Sequence, residues 1–116
     1  MLLKKDKLDI LLNQYIGILK NIYKDKLLKV VLFGSYARGD AREDSDIDIF
    51  AIIDMDDDTL TELHSKLLDD TWNFMCDNDY IHIQIIDESA SYYNRFKDIE
   101  MLFRNISEDG VVYYEK

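Results

Sequence analysis

The chain has no proline, one cysteine, one tryptophan and four glycines among 116 residues. Without proline no loop is stiffened by a locked φ, so turns fall to Gly, Asp, Asn and Ser. The single cysteine, Cys76, can close no internal disulfide and builds no cysteine-rich metal site. A buried or half-buried thiol in a reducing cytoplasm is the expectation. No apolar run reaches the ~18 residues of a membrane span, so no membrane association is expected. The opening MLLKKDKLDI mixes charge into its apolar residues, which speaks against a secretory signal. Basic residues are scarce, 14 against 24 acidic, for a net charge of −10. That balance excludes an extended nucleic-acid surface. Also missing are the Gly-Lys-Ser/Thr of a phosphate-binding P-loop and a G-x-G-x-x-G dinucleotide fingerprint.

What is present is globular in balance, 47% hydrophobic and 33% charged, and its length fits one domain over residues 1–116. The charge is uneven. Residues 1–42 carry nine Lys/Arg and four Asp/Glu, whereas residues 43–116 carry five and twenty. An anionic ligand is drawn to the first part and a divalent cation to the second.

Periodicity predicts the elements. Leu8, Leu11, Leu12, Tyr15, Leu19, Ile22 and Tyr23 share one helical face between about Asp6 and Tyr23. Lys29–Phe33 and Asp48–Ile53 read as buried strands, and Ser35–Asp40 as a short helical turn. The acidic run Asp56-Asp57-Asp58 supplies an N-cap to a helix to about Met75, with Leu60, Leu63, Leu67, Leu68, Trp72 and Met75 inward. Ile81–Ile86 is a third strand. Ser89 to about Asn105 is one helix with Tyr92, Phe96, Ile99, Leu102 and Phe103 as its stripe. Gly110 then precedes a last short strand, VVYY. The fold class is α/β (α+β): a mixed sheet of about four strands backed by helices, with its site at strand ends.

The chemistry-bearing stretch runs from Gly34 to Asp48, GSYARGDAREDSDID. A glycine directly after a buried strand permits a sharp turn and close approach to a ligand. A helical turn starting there offers N–H groups to a phosphate, and Ser35 adds a hydroxyl donor. Asp46 and Asp48, two apart at a strand start, share a face and can hold one hard cation. Magnesium, or manganese, bound there would bridge triphosphate oxygens in an in-line displacement. Arg38 and Arg42 are candidates to neutralise further phosphate charge. Asp44, Asp46 and Asp48 also have the spacing of a calcium loop. That loop needs Gly sixth and Glu twelfth, where this chain has Ile49 and Met55.

Gly34-Ser35, ten residues, then Asp46-Ile47-Asp48 resembles the signature of the polymerase-β-like nucleotidyltransferase superfamily. The longer GSYARGDAREDSDIDIF resembles its small prokaryotic branch, the minimal nucleotidyltransferases. The resemblance implies transfer of a nucleoside monophosphate from a triphosphate, with ATP expected, to a hydroxyl. It further implies pairing with a helical HEPN toxin, as an antitoxin that adenylylates a toxin tyrosine. One departure stands out. Where the superfamily often has a third carboxylate on a later strand, this chain offers His82 and Gln84, with Asp79 and Asp87 flanking. His82 is then a candidate base, since imidazole titrates near neutrality. Two functions follow: a metal-dependent transferase, or an inactive nucleotide-binding antitoxin that works by masking its toxin. Transfer to a small molecule usually needs an added domain, or a dimer, to shape the acceptor pocket, and ranks last. A homo- or hetero-oligomer is a separate expectation.

Overall fold

The computed structural model describes residues 2–116. Helix α1 (Lys5–Tyr23) leads through a 3₁₀ turn (Lys24–Lys26) into strand β1 (Leu27–Phe33). A single turn, α2 (Ser35–Arg38), and a loop precede β2 (Ile47–Ile53). Helix α3 (Asp57–Asp77), β3 (Ile83–Ser89), two short helices α4 (Ala90–Phe96) and α5 (Met101–Asp109), and β4 (Val111–Glu115) complete the chain. The strands form one mixed sheet in the order β3-β2-β1-β4. β1 pairs antiparallel with both β2 and β4, while β2 and β3 run parallel across the α3 crossover.

Each face of the sheet has its own core, because strand side chains alternate. On one face Val30, Leu32, Ile47, Ile49, Ala51 and Ile53 pack with α1 and α3, around the fully buried Tyr15, Leu19, Tyr23 and Leu67. On the other, Val31, Phe50 and Ile52 meet Phe103 and Ile106 of α5. The rings of Phe50, Tyr93 and Phe103 lie 5.3–5.7 Å apart, centroid to centroid. This second core covers only part of its face. Further along β2, toward its N-terminal end, Asp48 is half-buried and Asp46 exposed.

Three expectations are corrected. α3 is rolled relative to the anticipated stripe: Leu60, Leu67, Thr71 and Phe74 point inward, while Leu68 and Trp72 are exposed, at 50% and 59%. The polar Thr71 takes an interior position because its hydroxyl bonds the Tyr15 hydroxyl at 2.7 Å. The anticipated helix from Ser89 to Asn105 is two helices. The N–H groups of Ile99 and Glu100 close on the Phe96 carbonyl, and the Tyr92 hydroxyl donates to the Glu100 carboxylate across the break. The break re-aims the chain so that Phe103 and Ile106 reach the sheet, and it leaves Ile99 and Met101 in solvent. The third strand starts at Ile83 rather than Ile81 and runs on to Ser89, whose side chain caps α4 by accepting from the Tyr92 N–H. The anticipated cap on α3 is present: the Asp56 carboxylate accepts from the Thr59 N–H at 2.7 Å. Cys76 is half-buried and free, and no helix among the described residues is long and apolar enough to cross a membrane.

Candidate active site

The C-terminal end of β1 and the N-terminal ends of β2 and β3 meet at one edge of the sheet, and the Gly34–Asp48 stretch lies there. β1 ends at Phe33, which pairs with Asp48. Gly34 follows with φ +76°, a region open to glycine and costly for side chains. Arrival at the second strand is equally tight: a Cβ on Gly34 would overlap the Asp48 carboxylate, with Asp48 Cγ only 3.1 Å away. The turn α2 then begins at Ser35. The N–H groups of Ala37 and Arg38 are spent on the Gly34 carbonyl, which leaves Ser35, with its hydroxyl, at the head of the turn. Gly39, also at positive φ (+84°), closes α2.

Asp46 and Asp48 are brought to one face and feel each other. Burial first, and the Asp46 charge second, push the Asp48 carboxyl above its usual range, while Arg38 pulls it back. Arg38 therefore lies within electrostatic reach of Asp48, although its Nε also meets Asp40 Oδ2 at 3.3 Å. Arg42 is exposed. Its backbone N–H donates to Ser45 Oγ at 2.8 Å, which shapes the loop before Asp46. Among the described contacts none ties the Arg42 side chain to the carboxylates.

β3 supplies the third side of the site. The Ile47 N–H donates to the His82 carbonyl at 2.8 Å, and His82 Nδ1 sits 3.4 Å from Asp46 Oδ1. Gln84 pairs with Asp48 in the parallel register, so the two side chains share a face. Asp87 is three residues further along, opposite Ala51 and 3.7 Å from His64 of α3. Asp79 lies in the loop before β3 and lines the same cavity as Asp46. No group of three or more acidic, His or Cys residues suited to a metal is present among the described residues. Two carboxylates on one face still fit a hard divalent cation that completes its shell from phosphates and water, as magnesium does.

Sequence reasoning passed over two tyrosines. Tyr36 and Tyr80 line a cavity of about 280 Å³ that also has Asp46 and His82 in its wall. An aromatic residue inside the polar loop Asn78-Asp79-Tyr80 was the available signal.

The chain matches the family described as "Polymerase beta, Nucleotidyltransferase" over residues 13–109 and belongs to it. It is 38% identical over 104 residues to a candidate protein adenylyltransferase of Methanocaldococcus jannaschii, MJ0604, covering 89% of this chain and 94% of that one. Among solved structures, the fold is similar to a toxin–antitoxin crystal structure with AMP-PNP. The TM-score is 0.56 at 23% identity, over 90% of this chain and 73% of that one. It is also similar to a nucleotidyltransferase candidate from Sulfolobus solfataricus, with TM-score 0.53 at 19% identity, over 95% and 82% of the two chains.

Proposed function

We propose that residues 1–116 act as one divalent-metal-dependent nucleotidyltransferase domain that moves AMP from ATP to a tyrosine hydroxyl of a HEPN-type toxin, as the cytoplasmic antitoxin of the pair. The observation that carries this reading is the interlock of Gly34 with Asp48. The turn that would take phosphates is built against the carboxylate that would take the metal. The protein-acceptor part draws on the M. jannaschii relative's name, and the toxin partner on toxin–antitoxin assemblies of similar fold.

In the proposed reaction the acceptor hydroxyl oxygen attacks the α-phosphorus. The bond from that phosphorus to the bridging oxygen breaks, and pyrophosphate leaves with the electron pair. Ser35 donates to a phosphate oxygen, and Arg38 balances charge there. Asp46 and Asp48 would hold magnesium or manganese, which would supply Lewis-acid stabilisation of the charge that develops on the phosphates. His82, with Nδ1 toward Asp46, takes the acceptor proton on Nε2.

Purified chain, partner, ATP and magnesium should give a partner heavier by one AMP, and Asp46→Asn should abolish the gain. An unmodified partner whose neutralisation survives both Asp46→Asn and Asp48→Asn would sink this reading. That result would establish a second one, an inactive nucleotide-binding antitoxin that masks its toxin. The second reading has its own support, because an amide, Gln84, stands beside Asp48 where a third acid would complete a two-metal site.

A further inference from the structure

We propose that the cavity between Tyr36 and Tyr80 is the nucleobase subsite, with Tyr80 as its stacking face and a selectivity for bases that carry an amino group. This rests on the nucleotide reading above. A nucleotide is one covalent object. If its phosphates lie against Ser35 and Asp46, its base lies within one ribose length of them, and this cavity, with Asp46 and Tyr36 in its wall, is within that reach.

The lining matches the base and mismatches the other parts. Leu3, Ile47 and Ile81 give apolar walls, and two tyrosines give aromatic ones. No Lys or Arg lines the cavity, while Asp44 and Asp79 do, so a triphosphate would be repelled. Ionised carboxylates only accept hydrogen bonds. They suit the 6-amino group of adenine and oppose the 6-oxo group of hypoxanthine, which also only accepts.

Tyr80 is held in place at a cost. It is 73% exposed, so core packing does not explain its position. Asp79 and Tyr80 both have positive φ, +58° and +56°, an unfavourable conformation for non-glycine residues. Three bonds enforce the turn. The Tyr80 N–H donates to the Met75 carbonyl at 2.9 Å, and the Ile81 N–H to the Asn78 carbonyl at 3.2 Å. Asn78 Nδ2 donates to the Phe74 carbonyl at 2.8 Å. An enforced turn that displays an aromatic ring at the mouth of a cavity beside the carboxylates fits a stacking platform.

Titration calorimetry with magnesium, on the full chain, compares ATP, ITP and inorganic tripolyphosphate. Wild type should bind ATP about tenfold more tightly than tripolyphosphate, with ITP between them. Tyr80→Asn removes the ring but retains a residue that tolerates the left-handed turn. It should bring ATP to the tripolyphosphate level and leave tripolyphosphate unchanged, while Tyr80→Phe should retain the wild-type preference. An unchanged preference in Tyr80→Asn overturns the assignment. So does unaltered ATP binding combined with lost transfer to a protein acceptor, which would place the acceptor in the cavity. Tripolyphosphate binding that is lost in Asp48→Asn, with ATP no tighter than tripolyphosphate in wild type, overturns the base subsite alone. No magnesium-dependent binding of any of the three overturns the nucleotide reading as well.

Discussion

Gly34 and Asp48 occupy each other's space: a single added carbon on Gly34 would overlap the Asp48 carboxylate. Gly34 directly follows the last residue of β1, and Asp48 is the second residue of the adjacent antiparallel β2. On the proposed reading, the turn that takes phosphates and the carboxylate that takes the metal are in direct contact. Gly34→Ala should therefore lose function out of proportion to stability. The positive φ and the overlap cost about 1–3 kcal/mol of folding free energy. A carboxylate displaced by about 1 Å lowers transfer on the order of 100-fold. Urea denaturation and AMP transfer, measured on the same preparation, check the ratio. Near-normal transfer would mean that Asp48 does not need its present position.

Asp48 carries a cost in the metal-free protein. Its folded-state carboxyl is raised above the ordinary value, by burial first and by Asp46 second. The sign follows from linkage. A carboxyl with a raised folded pKa is destabilising while ionised, and the penalty fades as pH falls through that pKa. Asp48→Asn should thus melt higher than wild type at pH 7 without metal, and the gap should close as pH drops into the carboxylate range. Magnesium should raise the melting temperature of wild type more than that of Asp48→Asn. Thermal melts of both proteins at pH 7 and pH 4, with magnesium and with chelator, check both comparisons.

Two buried phenols make a matched pair for a stability test. The Tyr15 hydroxyl bonds Thr71 across α1 and α3, whereas the Tyr23 hydroxyl is buried with no hydrogen-bond partner. Burial raises both phenol pKa values, so both stay neutral. Thr71→Val strands the Tyr15 hydroxyl and should cost about 1–3 kcal/mol. Tyr23→Phe removes a group already stranded and should be neutral or stabilising by up to about 1 kcal/mol. Denaturant midpoints decide it, and equal losses in both variants would contradict the assignment.

Local signals and tertiary signals differ in how well they could be read from the sequence. The strand–turn–strand around Gly34 was legible because glycine, carboxylate spacing and β-branched runs all act within a few residues. The end of the Ser89–Asn105 helix was not. Tyr92, Phe96 and Phe103 keep helical spacing, but the break near Glu100 seats Phe103 against Phe50 and Tyr93, contacts distant in sequence. The roll of α3 was hidden likewise. Leu68 and Trp72 outrank Thr71 in hydrophobicity, and the Tyr15 partner that draws Thr71 inward is 56 residues away. His82 could be named from sequence, but its approach to Asp46 depends on the parallel register of β3 on β2.

That register yields the sharpest functional test. Gln84 is exposed and directly opposite Asp48, on the same face, so a carboxylate at this position joins the pair without rebuilding the strand. Gln84→Glu keeps the length of the side chain and adds one negative charge. A third oxygen ligand should tighten divalent-metal binding and lower the magnesium concentration that half-saturates transfer, by about three- to tenfold. The same charge, unpaired without metal, should push the Asp48 carboxyl further up and lower the melting temperature in chelator. Activity and melts across a magnesium series separate the two effects. An unchanged magnesium requirement would show that Gln84 lies outside the metal's reach, and the cation would then rest on Asp46, Asp48 and the nucleotide.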